Sequence, residues 1–329
     1  MTGGVVLSEL AQRLRQGRGL AAKGDIAAVA AALGVNGEGA VPVGDDCAAI
    51  PEGDGYSLFA IEGFMNEFVA ADPWFAGWCG VMVNISDIVA MGGRPTAVVN
   101  AIWSDGFDQA APVMQGLKAA AQAYGVPLVG GHTNVRSNQS QLAVAILGRA
   151  RRLLTSFDAR PGDRLIAAID LRGRYRAPFA NWEAATDAPT ARLRGDLEIL
   201  PDIAEAGLAK AAKDISQGGI VGTAVMLAEC SGVGITIDLA AIPKPGGVEL
   251  ERWLQTFPSF GHLIAAPPAH VPDILARFRC RDIAAAVIGD VVERPVVSIT
   301  DGGASEVIWD FAQRALLGCS RPAMAGASG

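Results

Sequence analysis

The sequence has 329 residues, half of them hydrophobic and 19% charged, with a formal net charge of −7. That is enough chain for two domains of ordinary size, and too apolar for a disordered protein. The acidic balance lacks the basic stripe that neutralises nucleic-acid phosphates, and no apolar run approaches the roughly 20 residues of a membrane helix.

Read in chain order, residues 1–40 form a helical, glycine-punctuated arm, with "RQGRGLAAKGD" as a flexible interruption. The opening has no basic segment followed by an apolar one, so no leader is expected and a cytoplasmic protein is the default. From about 41 onward strands and helices alternate. "YSLFAIEGF" reads as a strand and "DPWFAGWCGVMVNISDIVAM" as a helix stopped by Gly92-Gly93. Next come strand "PTAVVNAIW", helix "DQAAPVMQGLKAAAQAYG", and strands "VPLVGG" and "QLAVAILGRA". Pro-Gly-Asp in "ARPGDRLIAAIDL" opens a second half after a turn.

In that half "KAAKDIS" reads as a strand that leads through Gly218-Gly219 into helix "IVGTAVMLAEC", followed by strand "GVGITIDL". Strand "HLIAAPP", helix "HVPDILARFR", strand "AAAVIGDVV" and helix "ASEVIWDFAQRAL" complete the pattern. The fold class is α/β (α+β), with two mixed-sheet domains at 41–155 and 156–318 and a frayed tail at 319–329. The five cysteines (Cys47, Cys79, Cys230, Cys280 and Cys319) are odd in number and form no CxxC pair. Reduced, mostly buried thiols are expected rather than a zinc ribbon or a disulfide framework.

Acidic residues beside apolar or glycine neighbours stand out: Asp45 and Asp46 in "VGDDCAAI", Glu62 in "LFAIEGF", Asp87 in "NISDIVAM" and Asp214 in "AAKDISQGG". A buried carboxylate must find a partner or take up a proton, and several together repel unless a cation joins them. Mg²⁺, with its preference for a few carboxylates plus substrate phosphates, suits such a set. Each acid by itself also reads as a turn, cap or strand-end residue. Asn84 and Asp87 lie three apart on one helix face, a polar notch beside Val81, Ile85 and Ile88. "VPLVGGHTNV" ends a strand in Gly130-Gly131, whose N–H groups can approach a phosphate, followed by His132 and Thr133. Lys23 in "RGLAAKGDI" reads either as a solvated lysine or as one that reaches a phosphate.

Together "GDDCAAI", "DPWFAGWCGVMVNISDIVAMGGRPTAVVN", "GGHTN" and "KDISQGGIVGTAVMLAECSGVGITIDLAAIP" resemble the AIR synthase-like (PurM-like) superfamily of ATP-dependent enzymes. The resemblance implies an N-terminal domain whose sheet pairs across a homodimer into a barrel, a C-terminal α/β domain, and ATP held through Mg²⁺ in the groove between domains. It assigns Asp46, Glu62, Asp87 and Asp214 to the metal and phosphates, and Gly130, Gly131, His132 and Thr133 to the nucleotide loop. Selenophosphate synthetase is the member most similar in the first domain, and Lys23 falls where it keeps its catalytic lysine. Its cysteine or selenocysteine three residues earlier is Leu20 here, and Glu62 replaces its usual aspartate. The thiamine-monophosphate kinase relatives share "NISDIVAMG" but carry aspartate where this chain has His132. The expected activity is phosphoryl transfer from ATP to an unassigned small acceptor. Alternatives are a thiamine-monophosphate kinase-like enzyme or an ATP-binding module without turnover.

Overall fold

The computed structural model describes residues 6–34 and 41–319. They form two compact units that interleave along the chain. Unit 1 takes the described residues up to Asp45, Leu154–Trp182 and those from Leu208 on; unit 2 takes Asp46–Leu153 and Glu183–Gly207. A single crossing near residue 155 is therefore followed by an excursion back to unit 2. Of the tail expected from 319, only Cys319 lies among the described residues.

Unit 1 begins with helices α1 (Leu7–Gln16), α2 (Arg18–Ala21) and α3 (Asp25–Leu33), with a 3-10 turn at Ala22–Gly24. The interruption expected to be flexible is thus helical. Gly19 permits it: a Cβ there would lie 1.8 Å from the Gln217 carbonyl oxygen, so α2 meets that backbone directly. Leu20 is buried beside Gly222.

Unit 2 is built on a five-stranded sheet of order β1-β2-β5-β3-β4. The strands are β1 (Ala48–Glu52), β2 (Gly55–Gly63), β3 (Arg94–Asp105), β4 (Leu128–Asn134) and β5 (Arg136–Ala150). Only β3 and β4 pair in parallel. Helices α4 (Asn66–Ala71), α5 (Pro73–Ala90) and α6 (Phe107–Tyr124) accompany it. Helix α5 starts where Asp72 accepts from the Phe75 N–H at 3.2 Å with Pro73 in the first turn, and it stops before Gly92 at φ 74°. Its neighbour α6 approaches to backbone contact, because a Cβ on Gly77 would lie 2.1 Å from Val113 O and one on Gly116 1.9 Å from Trp74 O.

Helices α7 (Thr190–Asp196) and α8 (Ile199–Glu205) return to this unit. Arg94 holds Glu198, Asp202 and Glu205 at 2.6, 3.2 and 2.5 Å, and Arg194 donates to the Gln122 and Ala123 carbonyls. On the sheet face away from α5, Phe59 opposes Leu147, while Ile61 and Val99 both oppose Ala145. The large apolar side chains of this row are exposed, Phe59 at 49% and Ile61 at 66%.

The rest of unit 1 holds a seven-stranded sheet of order β15-β14-β10-β13-β6-β12-β9 and a three-stranded one of order β11-β8-β7. In chain order these are β6 (Arg164–Ile169), β7 (Arg174–Arg176), β8 (Asn181–Glu183), β9 (Ala211–Asp214), β10 (Gly234–Asp238), β11 (Phe257–Pro258), β12 (Gly261–Ala266), β13 (Ala284–Val292), β14 (Val296–Asp301) and β15 (Ala304–Asp310). Helices α9 (Gly219–Ser231), α10 (Leu250–Leu254) and α11 (Val271–Arg279) complete it. The main core joins Leu165, Val225, Ile235, Trp253 and Ile299.

Two expectations change here. "ASEVIWDFAQRAL" begins as strand β15 rather than a helix, because Gly302 and Gly303 at φ 54° and 90° close a two-residue hairpin onto β14. "VPLVGG" does not end in a loop: β4 runs on through His132 and Thr133 to Asn134. All five cysteines are free; Cys47, Cys79 and Cys230 are buried, Cys319 is half-buried and Cys280 is exposed. Among the described residues no helix is long and apolar enough to cross a membrane.

Candidate metal and nucleotide site

In unit 2 the acids are gathered by α5 and the loop before β1. Cys47 donates its N–H to the Met91 sulfur at 3.1 Å, which pins the loop to the end of α5, one turn beyond Asp87. Asp46 and Asp87 consequently offer carboxylate oxygens within 4.8 Å of one another. Two full negative charges at that distance repel by roughly 3 kcal/mol at an effective dielectric near 20, so the arrangement favours a cation. Asp87 is only 6% exposed, which strengthens that preference.

Asn84, one turn before Asp87, is fully buried. Its amide donates to the Gly80 carbonyl at 2.8 Å, while its Oδ1 has no hydrogen-bond partner among the described residues. An orphaned buried oxygen one helical turn before Asp87 is what an oxygen-seeking cation, or a donor on its ligand, would complete. The donor set is all hard oxygen and fits Mg²⁺.

Strand register places the remaining unit 2 candidates. Glu62 opposes Val144, which opposes Asn100, which pairs with Gly131, so these four form one row. Val144 is buried under Gly80 of α5, which puts the row on the helix-covered face. Gly131 has to be glycine, since a Cβ would lie 2.4 Å from the Asn100 carbonyl oxygen and 2.7 Å from its Oδ1. Thr133, paired with buried Ile102, takes the same face. Gly130 and His132 pair with Val99 and Ala101 and take the opposite, open face, where the His132 ring lies 5.8 Å from that of Trp103. The continuous pleat of β4 thus divides a group expected to act together in one loop.

Unit 1 carries the other candidates. Asp214 ends β9, 7% exposed, directly opposite His262 of β12. Lys23 sits half-buried on the 3-10 turn. Asp45, expected beside Asp46 as a metal ligand, is engaged by Ser156: the Ser156 N–H donates to one carboxylate oxygen at 2.8 Å and its hydroxyl to the other at 2.6 Å. Burial pushes the Cys230 thiol up despite the nearby Lys213 charge, which disfavours its thiolate form. Ser156 and His262 lie outside the quoted motifs, Asn100 and Lys213 lie inside them with no role marked, and only pairing across distant segments reveals all four.

Residues 44–150 match the family described as AIR synthase related protein, N-terminal domain, and residues 160–302 match its C-terminal domain. The chain belongs to the AIR synthase related family. A family relative, the uncharacterized protein sll0787 of Synechocystis sp., is 45% identical over 95% of this chain and 98% of its own. A selenide, water dikinase of Geobacter metallireducens is 29% identical over 62% of each chain. Among solved structures, T. maritima PurL complexed with ATP superposes with a TM-score of 0.71 at 21% identity, covering 86% of this chain. This chain spans 48% of that PurL, about half its length. AaThiL complexed with AMPPCP and TMP gives a TM-score of 0.64 at 22% identity, over 94% of this chain and all of its own. These likenesses establish the two-domain PurM-like fold for the AIR synthase related chain.

Proposed function

We propose that this protein binds ATP through Mg²⁺ and transfers a phosphoryl group to a small acceptor. The observation that carries this reading is the Asp46–Asp87 pair, with the orphaned Oδ1 of buried Asn84 one helical turn before Asp87. Asp46 and Asp87 would hold the cation, with Glu62 and Asp214 as the further carboxylates that family membership suggests. Bound Mg²⁺ would neutralise charge on the phosphates. Gly131 and Thr133, on the face of Glu62, would leave room for the nucleotide. Lys23 would offset charge on the transferred group, since phosphoryl transfer asks the protein mainly for alignment and charge compensation. Asp45 serves instead to shape the loop, and His132 belongs with the open sheet face.

That open face supports a homodimer in which two such sheets close into a barrel, because pairing would cover Phe59, Ile61, Val99 and Leu147. A second reading, nucleotide binding without turnover, is favoured by Leu20. Where selenophosphate synthetases keep a soft nucleophile, this side chain is buried in packing against Gly222. Phosphate release with candidate acceptors, thiamine monophosphate included, separates the readings.

The test of the site itself is Asp87→Asn. Calorimetric titration with ATP in the presence of Mg²⁺ is expected to show affinity reduced by on the order of 100-fold with the fold intact. Unchanged Mg²⁺-dependent binding in that variant would refute the assignment.

A further inference from the structure

We propose that Ser156, which no sequence motif marks, is a positioning residue for two of the acids assigned above, Asp46 and Asp214. This rests on the metal reading of those acids. The contacts that support it lie within unit 1. Ser156 is fully buried, and its hydroxyl donates to Asp45 at 2.6 Å while accepting from the Lys213 ammonium at 3.5 Å. Asp45 immediately precedes Asp46, and Lys213 immediately precedes Asp214. One hydroxyl therefore joins the chain neighbours of both acids.

The consequence differs on its two sides. On β9, successive side chains point to opposite faces, so holding Lys213 on the Ser156 side commits Asp214 to the other face. In the loop, the two bonds from Ser156 fix both oxygens of Asp45, and Gly44 before it adopts φ 124°, closed to most other residues. A Cβ on Gly44 would fall 2.5 Å from the Cys319 Cβ. That segment is held there by Glu229, whose carboxylate accepts the N–H groups of Leu316, Leu317 and Gly318 at 2.7–3.1 Å. The turn leading into Asp46 is thereby set from both sides.

Ser156 is itself anchored. The Ser231 hydroxyl, at the end of α9, donates to the Ser156 carbonyl at 2.7 Å and accepts from the Ala159 N–H at 3.1 Å. Thr155 donates its N–H to the Lys210 carbonyl at 2.9 Å and its hydroxyl to Asp158 at 2.7 Å. A rigid loop bearing one buried hydroxyl between a carboxylate and an ammonium is a support of the kind that orients metal-binding groups without touching the metal.

The experiment uses the full chain with ATP at saturation and Mn²⁺ as the probe, its binding followed by electron paramagnetic resonance. Ser156→Ala is expected to weaken Mn²⁺ binding about tenfold, with Ser156→Cys, a weaker donor, in between. Asp46→Asn and Asp87→Asn are expected to abolish it. A merely structural serine would lower the melting temperature and leave Mn²⁺ affinity where it was. Affinity within twofold of the parent in Ser156→Ala, with Asp46→Asn inactive in binding, overturns the role of Ser156 while the metal reading stands. Retained binding in both asparagine variants overturns the metal reading itself. Should Ser156→Ala fail to fold, the Cys variant decides by the same criterion: parental affinity sinks the proposal, a several-fold loss supports it.

Discussion

Asn84 and Ile85 are consecutive buried residues of α5 and play opposite parts. The Ile85 side chain contributes packing, and truncating such a side chain to alanine costs about 2–5 kcal/mol. Asn84 keeps an unpartnered oxygen in the interior, an arrangement that carries a penalty of about 1–3 kcal/mol in the free protein. Removing that oxygen offsets the packing lost with it. Asn84→Ala is therefore expected to change unfolding free energy by less than about 1 kcal/mol in urea titrations, while Mg²⁺-dependent ATP affinity falls. A loss comparable to that of Ile85→Ala would make Asn84 an ordinary structural residue. The polar notch was legible because two polar residues three apart interrupt an apolar helix. That Asp46 comes close to Asp87 was not legible, since the Cys47–Met91 contact joins residues 44 apart.

Among the elements, α5 and α6 depend on glycines that let their backbones touch. Gly→Ala inside an exposed helix normally gains about 1 kcal/mol from propensity. At Gly116 a Cβ would meet backbone rather than a movable side chain, 1.9 Å from the Trp74 oxygen, so the clash outweighs propensity. Gly116→Ala is expected to destabilise by about 1–3 kcal/mol or more by denaturant unfolding. A neutral or stabilising result would show that the helix pair can separate freely. The helix itself was readable from its glycine stop and apolar spacing. β15 was misread because "VIWDFAQ" has apolar residues at helical spacing, and the Asp-Gly-Gly hairpin that overrides it acts only when β14 is there to pair with.

For the whole molecule the decisive feature is the open face of the unit 2 sheet. Solvated apolar side chains gathered on one face of the sheet favour a second copy of the same face. Sedimentation equilibrium is expected to give twice the chain mass for the parent and the single-chain mass for Ile61→Lys, which puts a charge on that face. A monomeric parent would rule the pairing out. Ile61 and Glu62 lie side by side in the chain yet serve opposite faces, which is why the substitution is expected to leave the candidate metal site unaffected.

The amino-acid sequence by itself determined the local elements: apolar period, helix stops at Gly92 and Gly125, and the acids at junctions. It also carried the family, because those junctions recur in a fixed order. Only the tertiary structure decided which acids meet, that His132 parts from Gly131 and Thr133 across the pleat, and that Asp45 answers to Ser156, 111 residues away. The physical reason is range. Backbone preferences act within a few residues, whereas the partner of a buried polar group is chosen by whichever distant segment packing brings within 3 Å.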